Sequence, residues 1–204
     1  MLLLKTVRAD GSPCNDSARA TGFRWPLTVD AEVECVGWDP TPRCGGGLHG
    51  LPWGEGRADC LSADADDVWI VFEAADADVV AVTDDGGGKS KAHRGIVRYV
   101  GGRDGAVAYL LEHGAAGKAV VYGTATAGVY GTATAGYRGT ATAGDSGTAT
   151  AGARGQLLLR WYDPEASRYR TVIGYVGEDG IEAGVPYRLD NEHRLVRAAG
   201  EGGK

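Results

Sequence analysis

The segment from Val121 to Gly155 is an octapeptide array. The string Gly-Thr-Ala-Thr-Ala-Gly starts at Gly123, Gly131, Gly139 and Gly147, two variable residues separate the copies, and Gly155 keeps the phase. A fixed period marks a stacked architecture in which each unit is stable only against its neighbours. A flexible Gly/Ala/Thr linker shares this composition, but a linker has no reason to hold threonine in register. Each copy alternates Thr with Ala, a period of two, so it predicts a short strand with hydroxyls on one face and methyls on the other. With the threonines outward, the interior is expected to hold Ala125, Ala133, Ala141 and Ala149 together with Ala127, Ala135, Ala143 and Ala151. The flanking glycines are expected to supply positive φ at tight corners. The pairs Val129-Tyr130, Tyr137-Arg138, Asp145-Ser146 and Ala153-Arg154 fall where solvent-facing corners belong. Two octapeptides per coil give two coils, a stack roughly 10 Å long, too small to fold alone.

The unit x-x-Gly-Thr-Ala-Thr-Ala-Gly resembles half of the sixteen-residue repeat of bacterial ice nucleation proteins, with Gly in place of a Ser and Ala in place of a larger inward residue. The resemblance covers residues 121–155 and implies a β-solenoid with outward rows Thr124/Thr126, Thr132/Thr134, Thr140/Thr142 and Thr148/Thr150. In that family such rows are thought to order water. The whole chain is also similar to a group of phage and prophage proteins that carry arrays between two distinctive ends. The residues behind that second resemblance are Lys5 with Asp10-Gly11, Phe23-Arg24-Trp25-Pro26-Leu27, Cys44 with Leu48-His49, and the close Tyr175-Val176-Gly177-Glu178-Asp179-Gly180-Ile181. It implies architecture and origin rather than an activity.

The ends of the chain read differently from the array. Residues 1–116 are expected to form an N-terminal α/β cap domain, with strands at Met1 to Val7, Trp69 to Glu73, Val79 to Val82 and Gly95 to Val100. Asp104 is placed to cap a helix through Leu111, with Gly114 at its C-terminal end, and Lys118 to Val121 reads as a first rung. Residues 117–155 form the array, and residues 156–204 are expected to be a C-terminal β-hairpin cap with a disordered tail. Leu157 to Tyr162 and Arg170 to Val176 read as one hairpin, Val185 to Leu189 and Arg194 to Val196 as a second. Large residues absent from the array are concentrated there, as befits an element that closes an alanine-lined end and blocks a strand edge.

Chemistry is sparse. A net charge of -6 disfavours attraction to phosphate backbones, so no nucleic-acid partner is expected. The apolar run Met1 to Leu4 is too short for a signal peptide or a membrane span, so the protein is expected in the cytoplasm or among products released by lysis. Cys14, Cys35, Cys44 and Cys60 with His49 invite a zinc reading, but no paired Cys-x-x-Cys is present. Buried thiols or a disulfide are the plainer expectation, so no metal and no cofactor is expected. Gly86-Gly87-Gly88-Lys89-Ser90 looks like a phosphate loop but lacks the upstream glycine, where Thr83 stands. If the N-terminal cap were an enzyme, its pocket would gather Arg24, Trp25, Cys44 and His49.

Three functions follow. The first is a non-enzymatic repeat protein of phage type, with the solenoid as spacer or display surface for a macromolecular partner. The second is an ice-binding or water-ordering protein acting through the eight threonines, and the third is an enzyme or ligand site in the cap. A homodimer through Tyr130 and Tyr137, or through an uncapped face, stays open.

Overall fold

The structure is a computed structural model that describes residues 1–62, 64–84 and 88–198. It is mainly β and divides into two compact units, Met1–Ala116 and Gly117–Lys204.

The first unit is built on a curled seven-stranded antiparallel sheet. Its strands are β1 (Leu2–Val7), β2 (Glu32–Glu34), β3 (Leu48–Pro52), β4 (Val68–Glu73), β5 (Val79–Val82), β6 (Lys89–Ala92) and β7 (Arg94–Gly101), in the spatial order β2-β7-β4-β1-β3-β6-β5. A short helix, α1 (Asp16–Arg19), follows the first strand, with Asn15 accepting from the Ala18 N–H as N-cap. Trp69, Ile70, Val71 and Phe72 of β4 are all buried, so both faces of this central strand are covered and its sequence is a continuous apolar run rather than an alternation. One face packs Leu3, Val7, Ile70 and Phe72 with Trp25, Val33 and Val97. Helix α2 (Arg103–Leu110) buries Ala106, Val107 and Leu110. Its N-cap is Gly102 rather than Asp104, which sits in the first turn where a carboxylate complements the helix dipole. A π turn, Leu111–Ala115, ends the helix, and Gly114 takes the φ of 115° that a side chain would resist.

The second unit begins with Lys118 to Val121, which is not a rung. Val120 and Val121 are buried without forming a strand, and the Gly136 N–H donates to the Val120 carbonyl. The octapeptides follow as β8 (Thr124–Ala127), β9 (Thr132–Ala135), β10 (Thr140–Ala143) and β11 (Thr148–Ala151). Each strand pairs in parallel with the strand sixteen residues on, Thr124 with Thr140 and Thr132 with Thr148, so successive copies alternate between two sheets. Thereafter β12 (Gln156–Asp163) joins β10 in parallel and β13 (Arg168–Tyr175) returns antiparallel to it. The other sheet is completed by β14 (Tyr187–Leu189), antiparallel to β11, and β15 (Leu195–Arg197). The array and the C-terminal segment share both sheets and one core. Residues 199–204, expected to be a disordered tail, lie outside the described residues.

That core gathers Ala133, Ala135, Ala141, Ala143, Ala149 and Ala151 with Leu157, Leu159, Ile181 and Tyr187. Ala125 and Ala127 of β8, the edge strand of its sheet, are only partly buried. The glycines act differently from the sequence expectation. None of the glycines from Gly123 to Gly155 has positive φ; the left-handed residues are Tyr122, Tyr130, Arg138, Ser146 and Arg154, the second of each variable pair, at φ of 52° to 58°. At Gly144 and Gly152 glycine is needed because the backbone sixteen residues earlier is too close for a side chain, whereas Gly128 has nothing within 4 Å. A Cβ on Gly144 would lie 2.7 Å from the Gly128 carbonyl carbon and the Val129 nitrogen.

Candidate functional site

Alternation places the threonines and alanines on opposite faces of each array strand, and parallel pairing without offset then aligns like with like. One sheet carries Thr124 beside Thr140 and Thr126 beside Thr142; the other carries Thr132 beside Thr148 and Thr134 beside Thr150. Neighbours stand about 4.8 Å apart across the ladder and about 6.7 Å apart along a strand. Thr124, Thr126 and Thr132 are exposed, and the other five are half-buried. Among the described residues, Thr140 alone of the eight has a side-chain hydrogen bond, accepting from Gln156 Nε2 at 3.0 Å. The remaining hydroxyls are left to solvent. Gln156 and Leu158 continue the first sheet's two rows onto β12, an extension the repeat period does not signal.

The four residues proposed for a pocket in the first unit do not converge. Trp25 is core, its ring 5.0 Å from that of Phe72 and 5.9 Å from that of Phe23. Arg24 is largely exposed and pairs with Asp10 at 3.3 Å. Cys44 lies in the loop before β3, and His49, on β3, bonds to that loop. The Cys44 Sγ accepts from Lys89 Nζ at 3.2 Å, and its N–H donates to Asp84. His49 Nδ1 lies 3.0 Å from the Gly47 carbonyl while Nε2 accepts from the Gly45 N–H at 3.2 Å. Both ring nitrogens are thereby used by the loop in the neutral tautomer, with Nδ1 as donor. Burial, with help from Lys5 and Lys89, pushes the His49 pKa down to about 4, in keeping with that assignment.

Two lysines of this region gave no sequence signal of their burial. Lys91 is fully buried, its ammonium donating to the Arg43 and Gly45 carbonyls at 2.7 and 2.8 Å and lying over Trp38. Burial drives the Lys5 pKa below its usual value, opposed by nearby Cys14. No group of three or more His, Cys, Asp or Glu able to hold a metal occurs among the described residues. All four cysteines are free thiols. Of the phosphate-loop look-alike, Gly86 and Gly87 lie outside the described residues, and Lys89 and Ser90 begin strand β6 rather than a helix. No helix among the described residues is long and apolar enough to cross a membrane.

The chain is 32% identical over 124 residues to an ice nucleation protein of Xanthomonas campestris pv. translucens, matching 61% of this chain and 7% of that one. Homology to ice nucleation proteins covers about half of the chain. Ice nucleation protein InaU of Pantoea ananas is 34% identical over 113 residues, 55% of this chain and 10% of its own. An ice nucleation protein of Pseudomonas syringae is 39% identical over 89 residues, 44% of this chain and 7% of its own. The chain thus spans a tenth or less of the length of these curated relatives. No family model matches it, and no solved structure does.

Proposed function

We propose that residues 117–155 form a short β-solenoid, two octapeptides per coil, whose outward Thr-x-Thr rows order water as an ice-contacting surface. One observation carries this reading. Hydroxyls stand in register on both sheets with almost no protein partners, over an interior of methyl groups that fixes their spacing. A row of hydroxyls bonded to other side chains could not template water; these face solvent. The homology to ice nucleation proteins supports the same reading. Residues 1–116 and 156–204 serve in it as the flanking structures that hold so small an array in shape, and the reading uses no enzymatic step.

The surface is small. Four threonines per sheet, each occupying about 30 Å², give on the order of 130 Å² per face. Weak activity that grows with length is therefore expected. The test is freezing-point hysteresis and ice recrystallisation inhibition on the intact protein, a Thr132→Tyr/Thr148→Tyr variant shown to be folded, and a form lengthened by one sixteen-residue coil. Activity lost in the first and raised in the second is the expected result. Equal behaviour of all three proteins, or inactivity even after several coils are added, would sink the reading.

A further inference from the structure

We propose that a cleft in the second unit, between the Asp145-Ser146 corner and the β14–β15 turn, binds a single neutral saccharide ring. The cleft has a volume of about 260 Å³ and is lined by Asp145, Ser146, Trp161, Leu189, Asn191 and His193, among others. It exists because the coil pattern stops there. At each earlier corner the left-handed residue donates its N–H to the corner fifteen residues on: Tyr122 to Tyr137, Tyr130 to Asp145, and Arg138 to Ala153, at 2.7 to 3.0 Å. Ser146 is next in the series, and its acceptor would be the Trp161 carbonyl. Strand β12 instead runs straight through Trp161 to Asp163. The Ser146 N–H consequently has no partner among the described residues.

Other groups at the cleft are equally free. Among the described residues, Asn191 and the Trp161 indole make no side-chain hydrogen bond, and the Asp145 carboxylate has only a 3.4 Å contact from the neighbouring Ser146 hydroxyl. The Trp161 ring stacks on His193 with centroids 3.5 Å apart and 10° between planes. His193 holds this position at a φ of 59°, in the left-handed region that non-glycine residues rarely adopt. The cleft therefore presents aromatic surface, one carboxylate, one carboxamide and two N–H donors.

The ligand class follows by elimination. An anion would meet the Asp145 carboxylate, which no ion pair offsets; the one arginine lining the cleft, Arg160, has its guanidinium over the Tyr169 ring. A divalent cation would find one free carboxylate, because Asp190 is already saturated by Arg194 and by the Glu192 and Arg194 N–H groups. An apolar ligand would strip water from Asp145, Asn191 and Ser146 without replacing its hydrogen bonds. A polyol with an apolar C–H face satisfies all of them. The volume lies just below the range of drug-sized pockets, which suits one pyranose ring.

The test is saturation-transfer NMR on the full chain with glucose, galactose, mannose and N-acetylglucosamine as probes, each at roughly 10 mM, where a millimolar dissociation constant is visible. Transfer to at least one sugar is expected, weakened about tenfold by Asn191→Ala and by Asp145→Asn, each of which removes an exposed or half-exposed partner without touching the core. Thr132→Tyr/Thr148→Tyr leaves the transfer unchanged, which separates this site from the threonine rows. No transfer from any of these sugars, or transfer that survives both cleft variants, overturns the proposal. So does a calcium-induced shift of Asp145 and Asn191 signals in the absence of sugar, which would mark a cation site.

Discussion

Replacing Gly152 by Ala tests the idea that the array glycines are demanded by coil spacing and not by backbone conformation. A Cβ at this position would lie 2.6 Å from the Tyr137 nitrogen and 2.7 Å from the Gly136 carbonyl carbon, about 0.8 Å inside ordinary contact. Both opposing atoms are main chain, so no rotamer change relieves the overlap. The two backbone segments have to move apart, and that stretches the 3.0 Å bond from the Gly152 N–H to the Ala135 carbonyl along with the neighbouring strand pairs. Overpacking costs about 1–3 kcal/mol, and weakened rungs add about 1 kcal/mol. Set against this is about 0.4–1 kcal/mol gained because alanine restricts the unfolded chain. A net loss of about 2 kcal/mol is expected. Ser146→Gly is the counterpart: it removes left-handed strain worth about 1 kcal/mol but gives back a similar amount in unfolded-state entropy, so it leaves stability within about 1 kcal/mol of the parent. The assay is urea denaturation of the full chain followed by circular dichroism, comparing midpoints at unchanged slope. Finding Gly152→Ala within about 0.5 kcal/mol of the parent, or less destabilising than Ser146→Gly, would refute the reasoning.

Ala133→Asp puts a carboxylate into a core of methyl groups with no partner; a loss of several kcal/mol is expected, read as loss of the cooperative transition of the second unit. His49 carries a sign that can be checked. Its folded pKa, about 4, lies below the ordinary 6.5, so between these values the unfolded chain binds more protons. The contribution is fully present above pH 6.5 and is lost as pH falls toward 4, by on the order of 1–3 kcal/mol. Denaturation midpoints across that window reveal the loss, and His49→Gln flattens it. Lys91→Met keeps the buried stem but abandons the Arg43 and Gly45 carbonyls, which should cost about 1–3 kcal/mol and speed alkylation of Cys44 in the same loop.

The strict Thr/Ala alternation was enough to read which residues of each copy point outward, because a two-residue period admits one answer once one face is buried. The continuous apolar run at β4 and the Asp163-Pro164 turn between β12 and β13 were legible for similar local reasons. Where geometry depends on a neighbour in space, the sequence was silent or misleading. Glycine suggests positive φ, yet what the array needs is the absence of a Cβ against the adjacent coil. The run Lys118 to Val121 looks like a strand and is instead an irregular segment whose Val120 carbonyl accepts from the Gly136 N–H. Trp25 sits in a motif with Arg24, but its large apolar ring was claimed by the core. The cleft beside Ser146 is invisible in sequence because it arises from a turn that β12 does not make. Of the two resemblances, the matched relatives support the ice nucleation one.

The sixteen-residue register also says how this chain can change length. Odd-numbered copies lie on one sheet and even-numbered copies on the other, and β12 and β14 meet the last two copies, β10 and β11. Because the copies are identical and each strand pairs only with the one sixteen residues away, a single inserted octapeptide moves every downstream strand to the opposite sheet together and leaves those pairings intact. Leu157 and Leu159 keep the phase of the alanines, which point inward on both sheets. Recombination between identical copies should therefore yield folded proteins in steps of eight residues. Array length in such chains would then vary one octapeptide at a time, a freedom set by strand geometry before any selection on function.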